Sequence, residues 1–253
     1  MATEPRVVLV TGSSRGIGRA TAIAFAAEGA RVVINHPGEP DEAAQAAALV
    51  SDAGGEPLVV EADVGDPQAV ARMVEEVHDA FGVVDVLVNN AGICPFRDFF
   101  DITTQLWDRV LDVNLRGAFL VTQAVTRRMI EAGRPGRVIA VSSVSAWVGG
   151  AQQAHYCASK AALSSLMRSL AIVLGPHGIT CNAVLPGPVE TDINREDLAD
   201  PAKRSQLEGR IPLGSLGQPE DVAGVITLLA RPEAGYVNGS EVLVDGGLFV
   251  HLQ

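Results

Sequence analysis

The stretch RVVLVTGSSRGIGRA, residues 6–20, decides the fold of this chain. It begins with a run of β-branched and apolar residues that is typical of a buried strand. Gly12, Gly16 and Gly18 follow at the spacing Gly-x3-Gly-x-Gly, and the residues after them have the pattern of a helix. Because glycines let the backbone approach a ligand and a helix N-terminus attracts negative charge, this order predicts a turn that binds the phosphates of a nucleotide.

The alternation of strand and helix continues along the chain. The predicted strands cover about 6–10, 31–35, 57–64, 84–92, 136–143, 179–187 and 240–247. The predicted helices cover about 16–28, 41–53, 67–81, 103–132, 154–174 and 219–230, with a polar stretch of helical character at 190–208. Continuous apolar strands between helices indicate a parallel sheet with both faces covered. We therefore predict an α/β fold, a single Rossmann-type domain over residues 1–253 with a doubly wound, seven-stranded parallel sheet.

Composition and charge exclude several classes of protein. With 47% hydrophobic residues and a mean hydropathy of +0.23, the 253-residue chain is too apolar to be disordered. A net charge of −11 would repel a polyanion, so we expect no nucleic-acid partner. The first residues lack a secretory pattern and no apolar run reaches the roughly 18 residues of a membrane span, so we expect a cytoplasmic protein without a membrane partner. The three cysteines lack metal-type spacing, so we expect reduced thiols and no metal site.

Ligands of doubly wound sheets bind beyond the carboxyl ends of the strands. Polar residues and glycines cluster there in this sequence, at Asn35-His36, Asp63, Asn89–Gly92, Ser142-Ser143 and Pro186-Gly187. We expect these positions to surround the site that the glycine turn begins.

Three residues predict the chemistry of that site. Tyr156 and Lys160 are one helical turn apart and share a helix face, and Ser143 ends the strand before that helix. A tyrosine pKa of about 10 is too high for a base at neutral pH, but a neighbouring ammonium group would lower it. A serine hydroxyl could hold the substrate oxygen. The set predicts general acid–base chemistry on an alcohol or carbonyl, not acyl transfer.

With these motifs in order, the chain resembles the short-chain dehydrogenase/reductase family over nearly its whole length. The matching positions are Thr11–Gly18, Asp63, Asn89–Gly92, Asn114, Ser143, Tyr156 with Lys160, and Pro186-Gly187 with Thr191. The interval between Ser143 and Tyr156 is the one usual in the family, so we assign Ser143 rather than Ser142.

The resemblance implies a role for each matching residue. Tyr156 is the acid and base, Ser143 binds the reacting oxygen, and Lys160 holds the nicotinamide ribose and lowers the pKa of Tyr156. Asn114 anchors a water molecule that links Lys160 to solvent. The expected cofactor-binding residues are Gly12, Ser14, Arg15, Gly16, Ile17, Gly18, Asn35, His36, Asp63, Val64, Asn90, Ala91, Gly92, Tyr156, Lys160, Pro186, Gly187, Val189 and Thr191.

The choice between NAD and NADP depends on the end of the second strand. Enzymes of this type that use NAD place an Asp there to bind the ribose 2′-hydroxyl, but this chain has His36. Arg15 in the glycine turn could pair with a 2′-phosphate. We therefore expect NADP to be preferred and NAD to be accepted, although the carboxylates of Glu39 and Asp41 lie close in sequence.

The substrate region favours a hydroxyl-rich small molecule. The segment 187–212, which closes over the substrate in this family, is polar here and includes Asn194 and Arg195, and Gln152 and Gln153 precede Tyr156. Amide side chains both donate and accept hydrogen bonds, whereas a steroid or a long acyl chain would need a more apolar wall. The expected substrate-contacting residues are Ser143, Ser145, Gln153, Tyr156 and Asn194.

Local segments are similar to aldose 1-dehydrogenases of the L-rhamnose type, among them NNAGICPF at 89–96 and AVSSVSAWVGG at 140–150. This resemblance implies oxidation of a sugar at its anomeric carbon to a lactone. The chain departs from these relatives at His36-Pro37-Gly38 and at Trp147, which we expect near the site. One alternative is a 3-oxoacyl-[acyl-carrier-protein] reductase, which the segment IPLGSLGQPEDVA at 211–223 also fits. A second is a nucleotide-binding regulator without catalysis. The family resemblance also implies a homotetramer, and we expect the apolar tail Leu248–Val250 to be buried in a partner subunit.

Overall fold

The computed structural model describes residues 4–192, 194 and 198–251. Seven parallel strands form one sheet in the order β3-β2-β1-β4-β5-β6-β7. The strands are β1 (Val7–Val10), β2 (Arg31–His36), β3 (Glu56–Glu61), β4 (Val86–Asn89), β5 (Gly136–Val141), β6 (Ile179–Pro186) and β7 (Glu241–Val244). The doubly wound, seven-stranded parallel sheet predicted from the sequence is confirmed.

Helices cover both faces of this sheet. They are α1 (Gly16–Ala26), α2 (Pro40–Asp52), α3 (Pro67–Phe81), α4 (Thr104–Leu111), α5 (Ala118–Glu131), α6 (Ala154–Leu174), α7 (Pro201–Glu208) and α8 (Pro219–Ala230). Short 3-10 segments lie at Phe99–Asp101, Val144–Ala146, Gly175–His177, Pro232–Ala234 and Leu248–Val250. The predicted bounds 67–81, 154–174 and 219–230 agree with those of α3, α6 and α8.

The core has two layers because successive strand residues point to opposite faces. In β1, Leu9 packs into the layer that also holds Met73 and Met167, whereas Val10 packs into the layer that holds Phe25 and Ile226. All six side chains are buried, and burying each contributes about 1.5–3 kcal/mol. The two layers fix the sheet between its helices, so the strand ends form a rigid rim.

The predicted helix 103–132 is not one regular helix. Between α4 and α5 the chain makes a π-helical segment, Asp112–Gly117, that contains Asn114. Gly117 is needed in this segment, since a Cβ there would lie 2.6 Å from Val64 Cγ2. Such wide turns occur often at functional sites.

Helix α6 with the 3-10 segment after it, Ala154–His177, has the length and hydropathy of a membrane span. It nevertheless packs against β6, and Leu163 and Met167 on it are buried in the core. The helix is therefore an element of the sheet-covering layer in this fold.

The strand order reverses between β1 and β4, and this reversal opens a crevice at their carboxyl ends. The glycine turn follows β1, and the Asn90–Gly92 turn follows β4. Both turns therefore lie at the position where doubly wound sheets bind ligands.

Candidate active site

A cleft of about 820 Å³ runs along the carboxyl ends of the strands. Of the residues predicted to form the site, Gly18, His36 and Asn114 do not line the cleft, and the others do. Those that line it are Gly12, Ser14, Arg15, Gly16, Ile17, Asn35, Asp63, Val64, Asn90, Ala91, Gly92, Ser143, Ser145, Gln153, Tyr156, Lys160, Pro186, Gly187, Val189, Thr191 and Asn194.

The glycine turn is compact because two of its glycines have left-handed backbones, with φ of +60° at Gly12 and +55° at Gly16. A third glycine, Gly18, leaves no room for a side chain. A Cβ there would lie 2.4 Å from the carbonyl oxygen of Gly12 and 2.5 Å from Asn90 Nδ2. Gly18 therefore shapes the cleft from behind the turn.

Side chains from neighbouring strands hold the turn in place. Asn35 Oδ1 accepts a hydrogen bond from the N–H of Gly12 at 3.1 Å, and Asn35 Nδ2 donates to the carbonyl of Ala62 at 2.9 Å. Asn90 Nδ2 donates to the carbonyls of Thr11 and Gly12 at 2.9 and 2.8 Å. The Asn35 and Asn90 amides thus support the turn, and their effect on a ligand is indirect.

The start of α1 fits a phosphate group. Its N-cap residue, Arg15, makes no side-chain cap, and the first turn contains no acidic residue. The backbone N–H groups at this end are therefore free to bind an anion, and the helix dipole favours one. Together with the close-packed glycines, these residues fit the pyrophosphate of a dinucleotide.

Ser143, Tyr156 and Lys160 converge in the same cleft. The side chain of Ser143 faces Tyr156 and lowers the pKa of its hydroxyl, against the larger effect of burial. Ser143 Oγ also accepts a hydrogen bond from the N–H of Ser145 at 3.1 Å, so its own proton can be donated. Lys160 Nζ donates to the carbonyl of Val141 at 2.8 Å and lies 5.6 Å from the centre of the Tyr156 ring.

The two neighbouring serines have different surroundings. Ser142 Oγ donates to the carbonyl of Lys160 at 3.0 Å and accepts from Ser164 Oγ at 3.0 Å, so it ties β5 to α6. Ser143 instead faces Tyr156. Of the two hydroxyls, only that of Ser143 is among the groups that shift the pKa of the tyrosine.

Burial dominates the pKa values here. It raises the pKa of Tyr156 well above its usual value of 10, and the hydrogen bond with Ser143 opposes this only in part. Burial also lowers the pKa of Lys160 to about 8. Burial is thus the largest influence on the Tyr156 pKa, and Lys160 is not among the groups that shift it. The expected lowering of the Tyr156 pKa by Lys160 stays a prediction.

Asn114 lies behind the site, on the π-helical segment. Its Oδ1 accepts from the N–H of Ile93 at 2.8 Å, and its Nδ2 donates to the carbonyl of Ile93 and to Ser159 Oγ, both at 3.0 Å. The side chain thus joins the turn after β4 to α6. A Cβ on Gly92 would lie 3.2 Å from Lys160 Nζ and 3.5 Å from Asn114 Oδ1, so the glycine keeps space beside both groups.

His36, which we expected to contact the cofactor, does not line the cleft. Its side chain is buried, and Nδ1 accepts hydrogen bonds from the N–H groups of Gly38 and Glu39 at 3.3 and 3.0 Å. The loop after β2 therefore folds back over the ring. That loop brings Glu39, rather than His36, to the wall of the cleft.

Arg15 lies between two carboxylates. Its guanidinium is 3.6 Å from Glu39 Oε1 and 3.4 Å from Asp192 Oδ2. The other oxygen of Glu39 is buried and has no hydrogen-bond partner among the described residues. The cleft therefore offers both a guanidinium and a carboxylate acceptor, and of the two carboxylates that lie close in sequence it is Glu39 that lines the cleft.

Asp63 also has a partner that the sequence does not indicate. Its Oδ2 pairs with Arg109 Nη1 at 2.7 Å, and its Oδ1 accepts from the N–H of Gly65 at 2.9 Å. Arg109 on α4 lines the cleft beside it. The carboxylate is thus fixed in orientation at this end of the cleft.

The opposite end contains the predicted substrate residues. Gln153 Nε2 donates to Cys94 Sγ at 3.5 Å. Asn194 lines the cleft, but its amide accepts from the N–H of Thr191 at 3.0 Å and donates to the carbonyl of Val189 at 2.7 Å, so it shapes its own turn. Arg195 lies outside the described residues.

Trp147 does not line the cleft. Its ring packs edge-on against Phe249 at 5.0 Å between centroids, and its indole N–H donates to Glu241. The C-terminal segment is therefore held partly by its own chain, while Val250 remains exposed.

Several cleft residues were not predicted from the sequence, among them Cys94, Phe96, Arg109, Asp192 and Leu207. Asp192 directly follows Thr191, a predicted cofactor-binding residue, so the sequence could have indicated that Asp192 also lies in the cleft. Arg109 comes from a different helix, and only the packing of α4 across the end of β3 brings it to Asp63.

Comparison with known proteins adds to this picture. A family model described as enoyl-(acyl carrier protein) reductase matches residues 12–249. An L-rhamnose 1-dehydrogenase (NAD(P)(+)) from Azotobacter vinelandii is 54% identical over 251 residues, which are 98% of this chain and 98% of the relative. A 3-oxoacyl-[acyl-carrier-protein] reductase from Synechocystis sp. is 40% identical over 248 residues, again 98% of each chain.

Solved structures are similar over almost the whole chain. A short-chain type dehydrogenase/reductase from Mycobacterium marinum has a TM-score of 0.91 and 35% identity, covering 96% of this chain and 95% of that one. A protein from Beutenbergia cavernae, solved with NADP bound at low occupancy, has a TM-score of 0.91 and 36% identity and covers 97% of both chains.

Proposed function

The chain belongs to the short-chain dehydrogenase/reductase family, and we propose that it oxidises the anomeric carbon of an aldose, L-rhamnose or a similar sugar, to a lactone. The observation that carries this proposal is the position of Tyr156. Together with Ser143 and Lys160, it lines one end of a cleft whose other part fits a dinucleotide. The amide of Gln153 in the same cleft offers donors and acceptors to a polyhydroxylated substrate.

In this proposal the protein residues manage the proton and the geometry. Tyr156 takes the proton of the anomeric hydroxyl, and Ser143 donates a hydrogen bond to the same oxygen. The oxidised nicotinamide, once bound, would supply the acceptor for the hydride of C1 and a positive charge that favours the phenolate. Lys160, fixed by Val141, holds the cofactor ribose and adds to that charge.

Asn114 has a supporting role in this scheme. Its side chain fixes the turn after β4 and leaves space beside Gly92 and Lys160. We propose that a water molecule held there connects Lys160 to solvent and carries the proton away.

We propose that the enzyme uses NADP and NAD, with NADP preferred. The pyrophosphate would lie on the N–H groups at the start of α1, with Ser14 and Ile17 beside it. Asp63 and Val64 would flank the adenine, and Pro186, Val189 and Thr191 would hold the nicotinamide end. Arg15 would pair with a 2′-phosphate, and Glu39 would accept a hydrogen bond from a free 2′-hydroxyl.

Reduction of a 3-oxoacyl carrier-protein substrate is the second candidate. It is favoured by the reductase from Synechocystis sp., at 40% identity against 54% for the relative from A. vinelandii. Acidic carrier proteins need basic docking surfaces. The net charge of −11 therefore favours the sugar over the carrier-bound substrate.

We further propose a homotetramer in the cytoplasm. Strand β7 is an edge of the sheet and is only half-buried, and the outer surface of the α4–α6 helices exposes Trp107, Phe119 and Ile172. We infer that these side chains contribute to one apolar patch, and exposed apolar patches are typical of subunit interfaces. Light scattering that gives the mass of a monomer at micromolar concentration would contradict the tetramer.

A substrate panel tests the proposed function. Aldoses, simple alcohols and 3-oxoacyl thioesters are each assayed with both cofactors by nicotinamide absorbance. We expect turnover of L-rhamnose or a related 6-deoxy sugar, lost in Tyr156→Phe. Activity on acyl thioesters alone would overturn the proposal in favour of the second candidate.

A further inference from the structure

Two loops, residues 93–98 after β4 and residues 147–153 before α6, are joined beside the substrate end of the cleft. The N–H of Arg97 donates to the carbonyl of Gln152 at 3.0 Å, and Gln152 Nε2 donates to Asp98 Oδ1 at 2.8 Å. We call these two contacts the loop junction. They connect parts of the chain that are far apart in sequence.

The loop junction holds a backbone that a side-chain-bearing residue rarely adopts. Gln152 has φ of 60°, and it is the one non-glycine residue with a positive φ among the described residues. Left-handed backbone is unfavourable for such residues, and it persists where surrounding contacts enforce it, often at functional sites. Asp98 stands at the N-cap of a 3-10 segment without capping it, and its carboxylate binds Gln152 instead.

The strained residue Gln152 sets the direction of the next residue, Gln153, which is the N-cap of α6. The carboxamide of Gln153 is packed on two sides. Its Nε2 donates to Cys94 Sγ at 3.5 Å, and a Cβ built on Gly150 would lie only 2.1 Å from its Oε1. The amide therefore has its place only because residue 150 is a glycine.

We propose that Gly150, Gln152 and Asp98 are positioning residues that hold the Gln153 carboxamide against the hydroxyl groups of the sugar and so determine substrate affinity and specificity. Cys94 uses one N–H of the amide, which leaves a second N–H and the carbonyl for the ligand. Gln153 lines the same cleft as Tyr156. The inference rests on the proposed oxidation of a sugar.

Neighbouring glycines provide a matched pair of variants. Gly150→Ala displaces the Gln153 amide, whereas a Cβ on Gly149 meets nothing within 4 Å. Loss of well-placed hydrogen bonds to the substrate should raise KM for the aldose about tenfold in Gly150→Ala. We expect kcat to change by less than about twofold, since the chemical groups stay in place. Gly149→Ala should behave as the wild type, and both variants should keep the cofactor Kd.

The loop junction is tested at Asp98. Asp98→Ala removes the acceptor for Gln152 and should raise KM for the aldose by about fivefold, again with little change in kcat. Asp98→Asn keeps a carbonyl oxygen at the same position and should restore the wild-type KM. If Asp98 had only a structural role, Asp98→Ala would change kcat and the unfolding temperature together, and Asp98→Asn would not restore KM.

A double-mutant cycle tests whether Asp98 acts through Gln153. Gln153→Ala alone should raise KM about tenfold, and adding Asp98→Ala should then have no further effect. Two results would overturn this inference while the wild type still oxidises aldoses. One is that the effects of Gln153→Ala and Asp98→Ala on KM add in the double mutant, and the other is that KM is unchanged in Gly150→Ala and Asp98→Ala. Either result would leave the proposed function intact. A wild-type enzyme that oxidises no aldose would overturn both.

Discussion

Gly18, in the first turn of α1, is a position where one methyl group should have a large effect on cofactor binding. A Cβ there would lie 2.4 Å from the carbonyl oxygen of Gly12, 2.5 Å from Asn90 Nδ2 and 2.8 Å from Cα of Ser13. Ordinary contacts of such a carbon begin at 3.4 Å, so the turn or the helix must move by about 1 Å. Two of these three atoms belong to the backbone, which cannot turn aside as a side chain can.

Both stability and cofactor affinity should fall in Gly18→Ala. Overpacking of this kind costs about 1–3 kcal/mol of unfolding free energy, or roughly 2–10 °C in Tm for a chain of this size. A displacement of about 1 Å in a binding turn can cost on the order of 100-fold in kcat/KM. We therefore expect kcat/KM for the cofactor to fall by about that factor.

The control is Gly224→Ala in α8, where a Cβ meets nothing within 4 Å. Glycine in a helix interior is less favourable than alanine by about 0.5–1 kcal/mol, so this variant should be slightly stabilised and should bind the cofactor normally. Titration followed by nicotinamide fluorescence gives the Kd, and thermal unfolding gives Tm. If Gly18→Ala keeps the cofactor Kd and the Tm of the wild type, the packing argument is refuted.

Three further predictions concern charged and titrating groups. Arg15→Ala should lower kcat/KM for NADP by about 10–100-fold and kcat/KM for NAD much less. Glu39→Gln should instead lower kcat/KM for NAD. Equal effects of either variant on both cofactors in steady-state assays would contradict these roles. Sugar oxidation should accelerate from about pH 7 to pH 10, because the raised pKa of Tyr156 keeps its hydroxyl protonated at neutral pH. A flat pH–rate profile would argue against Tyr156 as the base. Lys160→Met should abolish turnover, yet it should raise the unfolding free energy at pH 7 by about 1–3 kcal/mol in urea titrations. The reason is that the folded-state pKa of Lys160, about 8, lies below the unfolded value of 10.5, so that the unfolded chain binds the proton more strongly. A variant less stable than the wild type would contradict this.

The strand and helix pattern was predictable because it depends on local periodicity. Leu9 and Val10 point to different core layers, as expected of a strand covered on both faces. The bounds 67–81 could be predicted because Pro67 starts the helix and the apolar positions recur at helical spacing. Because the glycine turn follows the first predicted strand, it could also be placed at the point where the strand order of the sheet reverses.

The directions of individual side chains were less predictable because long-range contacts decide them. His36 was expected at the cofactor, but the loop after it folds back and uses the ring as a hydrogen-bond acceptor. Asn194 was expected at the substrate, and it bonds within its own turn. The π-helical segment around Asn114 has no periodicity that distinguishes it from the helices on either side.

The electrostatics of the site also depended on packing. An i, i+4 spacing places Tyr156 and Lys160 on one helix face, but it does not reveal how deeply they are buried. In the fold, burial raises the pKa of Tyr156 and lowers that of Lys160. The same packing creates the pair of Asp63 with Arg109, which no sequence interval indicates.

The most direct test of the central claim is transfer of deuterium from the anomeric carbon. L-Rhamnose labelled with deuterium at C1 is incubated with the wild-type enzyme and NADP, and the reduced cofactor and the sugar product are analysed by mass spectrometry. We predict that the reduced cofactor carries the label and that the sugar becomes an unlabelled lactone, with no reaction in Tyr156→Phe. Unlabelled reduced cofactor, or no oxidation of the sugar at all, would contradict the assignment of this chain as an aldose 1-dehydrogenase.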